Sequence, residues 1–181
     1  RIATGVLPRP RCSPPVDALS TLHQVLVGVA AWNHWMEQGR RFMRMPRPMS
    51  RSATCGTTAG VVGLGDVADL HLEAIDADPT IELVGVCDVD PDRASAASER
   101  WRVPSFESVD ALLASAGPDV VHIATPHYQH VPVALAALRA GVHVLTEKPV
   151  AHTVADAERL ASAAAHSSSR AGVVLQNRYN P

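Results

Sequence analysis

From about residue 57 onward, short apolar runs alternate with amphipathic segments in a regular order. The run containing Val61–Val62 is bounded by glycines, which is typical of a buried parallel strand. The next segment, 66–77, places Ala68, Leu72 and Ile75 on one face of a helix. The same alternation predicts further strands at 81–87, 120–124, 142–145 and 172–176.

The helices between these strands carry recognisable start and stop signals. Their predicted inward faces are Ala94, Ala97 and Trp101; then Val109, Leu112, Leu113 and Ala116; then Val131, Ala134, Leu135 and Leu138; and last Ala157, Leu160, Ala161 and Ala164. Their predicted N-terminal caps are Asp90 with Pro91, Thr125 with Pro126, and Thr153 with Asp156. Gly117 and Gly141 are predicted to end two of them.

Strands and helices that alternate with short connections predict the α/β class, with a Rossmann-type doubly wound parallel sheet. We expect this domain to occupy residues 59–177. Residues 178–181 would then begin a second, C-terminal substrate domain. No run approaches the eighteen apolar residues that a membrane-spanning helix requires, so we expect no membrane partner.

Composition narrows the class of protein further. The 181 residues are 46% hydrophobic and 19% charged, which excludes a disordered chain or a collagen-like repeat. The three cysteines, Cys12, Cys55 and Cys87, show no metal-binding spacing and indicate free thiols in a reducing compartment. We therefore expect no metal site and a cytoplasmic location.

The net charge of −2 is the sum of a basic segment and an acidic one. Residues 1–51 hold eight arginines and two acidic residues, whereas the remainder is acidic. We expect residues 1–58 to be an Arg- and Pro-rich leader, disordered or poorly ordered, and the native coding sequence to start within it, at Met49. An organellar transit peptide, a twin-arginine signal at Arg40–Arg41 and a basic nucleic-acid arm are the alternatives. Because aromatic residues do not interleave with the arginines, we expect no nucleic-acid partner.

A glycine-rich turn joins the first strand to the first helix. It has the pattern G-x-G-x-x-A, in which the first glycine permits a tight turn and the second lets the backbone approach a pyrophosphate. Its position between a strand and a helix makes it a strong dinucleotide-binding signal. Asp66 is expected to cap the helix with its side chain outward, so it would contribute backbone only. The predicted contacts are Gly63, Leu64, Gly65, Asp66 and Val67.

Asp88 follows the second strand, where a carboxylate accepts hydrogen bonds from the adenosine ribose hydroxyls. A carboxylate there would repel the 2′-phosphate of NADP, which favours NAD as the cofactor. Arg93 keeps NADP open, because a nearby guanidinium can receive that phosphate.

Two further polar segments follow strands of the predicted sheet. Thr125, Pro126, His127 and His130 follow the strand at 120–124. With no third ligand, His127 and His130 indicate polar groups near a cofactor rather than a metal pair. Lys148, the only lysine, follows the strand at 142–145, where it could contact a substrate hydroxyl. Burial there would lower its pKa towards acid–base use.

These motifs together resemble the glucose–fructose oxidoreductase, inositol dehydrogenase and rhizopine-catabolism (Gfo/Idh/MocA) family. The resemblance covers about residues 59–181. The Glu147-Lys148-Pro149 run is far more specific than the glycine turn. The other matching features are Gly63-x-Gly65-x-Val67-Ala68-x-x-His71, Val86-Cys87-Asp88, Ala124-Thr125-Pro126-x-x-x-His130, Ala140-Gly141-x-His143-Val144-Leu145, and Gln176-Asn177-Arg178-Tyr179-Asn180-Pro181.

The resemblance implies an NAD(P)-dependent enzyme that oxidises a hydroxyl of a sugar or cyclitol, and a homo-oligomer when intact. It implies that Lys148 touches the reacting hydroxyl, that Glu147 and His130 border the nicotinamide ribose, and that Thr125 contacts the middle of the cofactor. It also implies a cis peptide before Pro149. His127 stands where the family commonly has Asn.

We expect this chain alone to bind dinucleotide weakly without turnover, because the family's other catalytic residues lie in the second domain. Two alternatives remain at this level of argument. One is the NAD-dependent glycosidase branch of the family, and the other is a dinucleotide-sensing protein without catalysis.

Overall fold

A six-stranded parallel sheet forms the centre of the computed structural model, which describes residues 56–175. Residues 1–55 of the predicted leader and the predicted start of a second domain at 178–181 lie outside the described residues. Thr57 and Thr58, which the prediction gave to the leader, belong to the first strand of the sheet. The strands are β1 (Thr57–Val62), β2 (Ile81–Cys87), β3 (Ser105–Phe106), β4 (Val120–Ile123), β5 (His143–Thr146) and β6 (Ala171–Val173). The α-helices are α1 (Ala68–Ala77), α2 (Pro91–Trp101), α3 (Val109–Ser115), α4 (His130–Arg139) and α5 (Val154–Ala165).

The strand order is β3-β2-β1-β4-β5-β6, and every pairing is parallel. The chain winds outward from β1 in one direction and from β4 in the other. The order therefore reverses between β1 and β4, which is where ligands of such sheets bind, beyond the carboxyl ends of the strands. The predicted doubly wound sheet is confirmed.

Helices cover both faces of the sheet, so its strands are apolar on both sides. On one face, Leu72 and Ile75 of α1 pack with Val61 and Leu145 of the sheet. On the other face, the buried side chains of α3, α4 and α5 pack with Val62, Val121, Ile123 and Val144. In a parallel strand, successive residues point to opposite faces, so one strand supplies both cores.

Capping explains most of the helix starts. The Asp90 side chain accepts hydrogen bonds from the backbone N–H groups of Asp92 (3.0 Å) and Arg93 (3.4 Å), as predicted. Thr153 caps α5 by accepting from the backbone N–H of Asp156 at 3.1 Å. Both caps satisfy N–H groups that a helix start otherwise leaves unpaired.

Three predictions about helices were wrong. Asp66 does not cap α1, because the N-cap position is Val67 and no side chain caps this helix. Thr125 and Pro126 do not start a helix; a 3₁₀ turn at His127–Gln129 follows them, and α4 begins only at His130. Ala161 is exposed, since the face of α5 that contacts the core runs through Leu160, Ala163 and Ala164.

Candidate functional site

Gly63 makes the turn that leaves β1, and a side chain at this position would force the backbone to rearrange. Its φ is +86°, a conformation that only glycine adopts freely. A Cβ atom there would lie 2.6 Å from the backbone nitrogen of Thr125. The turn is therefore held directly against the segment that leaves β4, at the reversal of strand order.

Gly65 lies in the same turn but faces open space. A Cβ atom at this position would meet nothing within 4 Å. Since no side chain caps α1, the N–H groups of its first turn are not satisfied by a capping side chain. An uncapped helix start carries partial positive charge and binds anions such as phosphate. Asp66 and Val67 are exposed beside it.

Asp88, at the end of β2, connects the glycine turn to its neighbours. One carboxylate oxygen accepts from the backbone N–H of Leu64 at 2.6 Å, and the other accepts from the backbone N–H of Asp90 at 2.9 Å. Each oxygen of a carboxylate can accept a second hydrogen bond, so Asp88 could also receive a ligand hydroxyl. The Arg93 guanidinium is exposed and lies 3.4 Å from the Asp90 carboxylate.

Cys87 precedes Asp88 and is buried. Burial, together with the negative charge of Asp88, raises the pKa of the Cys87 thiol to about 11. The thiol therefore stays protonated at neutral pH and is a poor nucleophile there.

His130 is completely buried at the start of α4. One ring nitrogen lies 2.8 Å from the carbonyl oxygen of Pro149, and the other lies 2.9 Å from the carbonyl oxygen of Thr125. His130 thus lies between the segment after β4 and the segment after β5. Both ring nitrogens face carbonyl oxygens, which only accept; a neutral ring donates its one N–H to one of them, and only an imidazolium donates to both.

Thr125 and Pro126 stand at the carboxyl end of β4. The Thr125 hydroxyl oxygen is buried and has no hydrogen-bond partner among the described residues. A buried polar atom without a partner is uncommon in native proteins, and it suits a ligand that supplies the missing hydrogen bond. Pro126 is exposed beside it.

Glu147, Lys148 and Pro149 follow β5, and the Lys148–Pro149 peptide bond is cis, as the resemblance implied. The Lys148 side chain is exposed, so within the described part of the chain nothing buries it in the way that the sequence suggested. The backbone N–H of Lys148 donates to Glu147 Oε2 at 3.2 Å. Burial raises the pKa of Glu147, but the hydrogen bond from His71, together with the backbone hydrogen bond and the charge of Lys148, lowers it below its usual value overall.

Two buried histidines lie beneath this segment. His71 of α1 contacts Glu147 Oε1 through Nε2 at 3.2 Å, and its Nδ1 lies 3.2 Å from His122 Nδ1. Sequence reasoning quoted His71 within a motif but gave it no role, and it missed His122. The available signal was a single polar residue within the apolar run of β4, since a buried polar side chain requires a partner.

The strand order, the glycine turn at its reversal and the acidic residue after β2 define a Rossmann-type dinucleotide-binding domain. A sequence profile of one oxidoreductase family, described as having an NAD-binding Rossmann fold (GFO_IDH_MocA), matches residues 57–175. The chain belongs to this Gfo/Idh/MocA family.

Named relatives point the same way. Over 101 residues, 56% of this chain and 31% of the relative, the chain is 40% identical to UDP-N-acetylglucosamine 3-dehydrogenase of Acidithiobacillus ferrooxidans. It is 34% identical to inositol 2-dehydrogenase of Salmonella paratyphi B over 58% of this chain and 32% of the relative. The chain therefore spans about a third of the length of the curated relatives it matches.

A solved structure shares the fold. The WlbA dehydrogenase of Bordetella pertussis, crystallised with NADH and UDP-GlcNAcA, superimposes with a TM-score of 0.67 at 34% identity. The match covers 69% of this chain and 38% of that protein. No helix among residues 56–175 is long and apolar enough to cross a membrane.

Proposed function

We propose that this chain is the NAD-binding domain of a dehydrogenase that oxidises a hydroxyl group of a sugar or cyclitol. The observation that carries the proposal is the open space above Gly65 at an uncapped helix start, in a turn whose Gly63 lies against Thr125, the residue with the unpartnered hydroxyl. Relatives named as sugar and inositol dehydrogenases support the substrate class.

The residues fit a dinucleotide in three places. Gly65, Asp66 and Val67 would hold the pyrophosphate through backbone N–H groups, in the space that the absence of a Cβ atom at Gly65 leaves open, while the N–H of Leu64 stays on Asp88. Asp88 would accept the adenosine ribose hydroxyls while it keeps its bonds to backbone. Thr125 and Pro126 would contact the middle of the cofactor.

Asp88 also argues for NAD over NADP. A carboxylate would repel a 2′-phosphate, and the cation closest in sequence, Arg93, lies beside the Asp90 carboxylate. We propose that Arg93 stays on Asp90 when NAD binds. Strong NADPH binding would require Arg93 to leave that carboxylate.

The bound nicotinamide would accept hydride from the carbinol carbon of the substrate. Lys148 is exposed beyond the end of β5, so its amine is free to hydrogen-bond the reacting hydroxyl. Glu147 would border the nicotinamide ribose. His130 would act indirectly, by holding the Thr125 and Pro149 carbonyls in place. We further propose that the intact protein is a cytoplasmic homo-oligomer.

The first test is cofactor binding to this chain, measured by NADH and NADPH fluorescence. We expect NADH to bind more tightly, and Asp88→Ser to remove the difference by weakening NADH alone. Arg102→Ser is the control, because Arg102 is a surface arginine at the end of α2 and outside the candidate site. Equal affinity of wild type and Asp88→Ser for NADH would contradict the role of Asp88.

The second test is substrate oxidation by the protein translated from the complete coding sequence. UDP-N-acetylglucosamine and myo-inositol are the first substrates to try, and the formation of NADH is the readout. Lys148→Ala should abolish turnover and leave NADH binding within about threefold, since one exposed amine contributes little to cofactor affinity. Oxidation that persists in Lys148→Ala would contradict its catalytic role.

A further inference from the structure

His71 and His122 form a buried pair directly beneath the segment after β5. Their side chains are 2% and 0% exposed, and their rings meet edge to face with centroids 5.2 Å apart. His122 is paired with Leu145 of the neighbouring strand, and it lies two positions after Val120 of its own strand. Leu145 and Val120 both face the core beside α1, so His122 points to that side of the sheet. The pair therefore joins α1, β4 and the end of β5.

The hydrogen bonds of the pair can be assigned from chemistry. Burial, and to a smaller extent the neighbouring His71, lowers the pKa of His122 to about 3, so His122 is neutral at pH 7. Glu147 is an acceptor, so His71 must present Nε2–H to it. A neutral His71 then accepts at Nδ1, and His122 donates its Nδ1–H.

The alternative assignment is less favourable. If His71 were a cation, it would donate to both partners, and His122 would carry its proton on Nε2. That atom is buried and has no partner among the described residues. A buried N–H without an acceptor costs more than a buried lone pair without a donor in comparable surroundings. The donors therefore run in one direction, from His122 to His71 to Glu147.

The other oxygen of Glu147 completes the chain, because it accepts from the backbone N–H of Lys148 at 3.2 Å. We infer that His71 is a positioning residue, which fixes the Glu147 carboxylate through Nε2–H and thereby orients the backbone at Lys148. This inference rests on the proposed function, in which Glu147 and Lys148 face the nicotinamide and the substrate.

Three substitutions separate the two contacts of His71. His71→Gln can place an amide N–H near the position of Nε2 and so keeps the bond to Glu147. His71→Asn is shorter, reaches only the side of His122 and loses Glu147. His71→Leu loses both contacts. His166→Gln is the matched control, because His166 is exposed at the end of α5 and contacts the Ser162 carbonyl instead.

Nitrogen-15 NMR of this chain without cofactor tests the inference directly. We expect a proton on Nε2 of His71, and a neutral His122 ring that carries its proton on Nδ1. The backbone amide signal of Lys148 should shift in His71→Asn and His71→Leu, and should stay close to wild type in His71→Gln and His166→Gln. A His71 ring with no proton on Nε2, or a Lys148 amide that does not move in any variant, would overturn the inference.

NADH titration gives the second readout. We expect affinity about tenfold weaker in His71→Asn and His71→Leu, which is the loss of one hydrogen bond to a charged group, and recovery to within about threefold in His71→Gln. Equal weakening in all three His71 variants would mean that the ring only fills space. If the wild-type chain binds no NADH, the proposed function fails, whereas the NMR result still decides the role of His71.

Discussion

Replacing Gly63 with alanine tests how the turn after β1 is built. The left-handed φ of +86° costs a residue with a side chain about 1–2 kcal/mol. The new Cβ would also lie 2.6 Å from the Thr125 nitrogen and 2.7 Å from the Ala124 carbonyl carbon, both backbone atoms that cannot rotate away. Such overpacking adds about 1–3 kcal/mol. We expect Gly63→Ala to lower the free energy of unfolding by about 2–5 kcal/mol.

Urea denaturation followed by circular dichroism measures this change, and two other glycines provide controls. Gly117 has a φ of +53° with open space around it, so Gly117→Ala measures the backbone conformation alone. Gly65 has neither constraint, so Gly65→Ala should change stability by less than about 0.5 kcal/mol while it weakens NADH binding at least about tenfold. A Gly63→Ala variant as stable as Gly117→Ala would contradict the close contact between position 63 and the Thr125 backbone. If Gly65→Ala binds NADH like wild type, the phosphate does not approach that glycine.

Three further predictions concern caps and protonation. Asp90→Ala should cost about 1 kcal/mol in urea denaturation, because the start of α2 loses its cap; an unchanged midpoint would contradict this. In a variant with Cys12 and Cys55 replaced by serine, alkylation of Cys87 should keep accelerating up to about pH 11, the pKa of its thiol, and a plateau by pH 9 would be inconsistent with its burial. The pKa of His122 falls from 6.5 to about 3 on folding, so the unfolded chain binds the extra proton. Stability should therefore decline as pH falls from 6.5 towards 3, and His122→Asn should flatten that decline; an equally steep decline in the variant would assign it to other groups.

Five of the six strands were predicted from the sequence because their evidence is local and repeated, whereas the two-residue strand β3 (Ser105–Phe106) was missed. The strand Ile81–Cys87 was predicted to the residue, since a buried run lies between two polar turns. The start of α4 was not, although Thr125 and Pro126 look like a helix start. In the structure the segment first makes a 3₁₀ turn, which brings His130 beneath the Thr125 carbonyl. A tertiary contact therefore decided this boundary, and no local pattern encodes it.

The candidate site was likewise predicted in part from the sequence and missed in part. The spacing of the glycines identifies the turn after β1, and the acidic residue after the second strand identifies Asp88. The two lie close together because β1 and β2 are parallel neighbours and end at the same edge of the sheet. The sequence does not show that the Asp88 carboxylate is bonded to Leu64, or that both nitrogens of His130 face carbonyl groups. It also gave His71 no partner, since residues 71, 122 and 147 meet only once the sheet is assembled.

These contacts share one feature: a buried or half-buried polar side chain joins one loop of the site to another. Asp88 joins the end of β2 to the turn after β1, and His130 joins the segments after β4 and β5. His71 connects the helix after β1 to Glu147, beyond β5. All the loops at the reversal of strand order are thus tied to one another before any ligand arrives. Ordering such loops costs free energy, and a site whose loops are ordered before binding does not lose affinity to that cost.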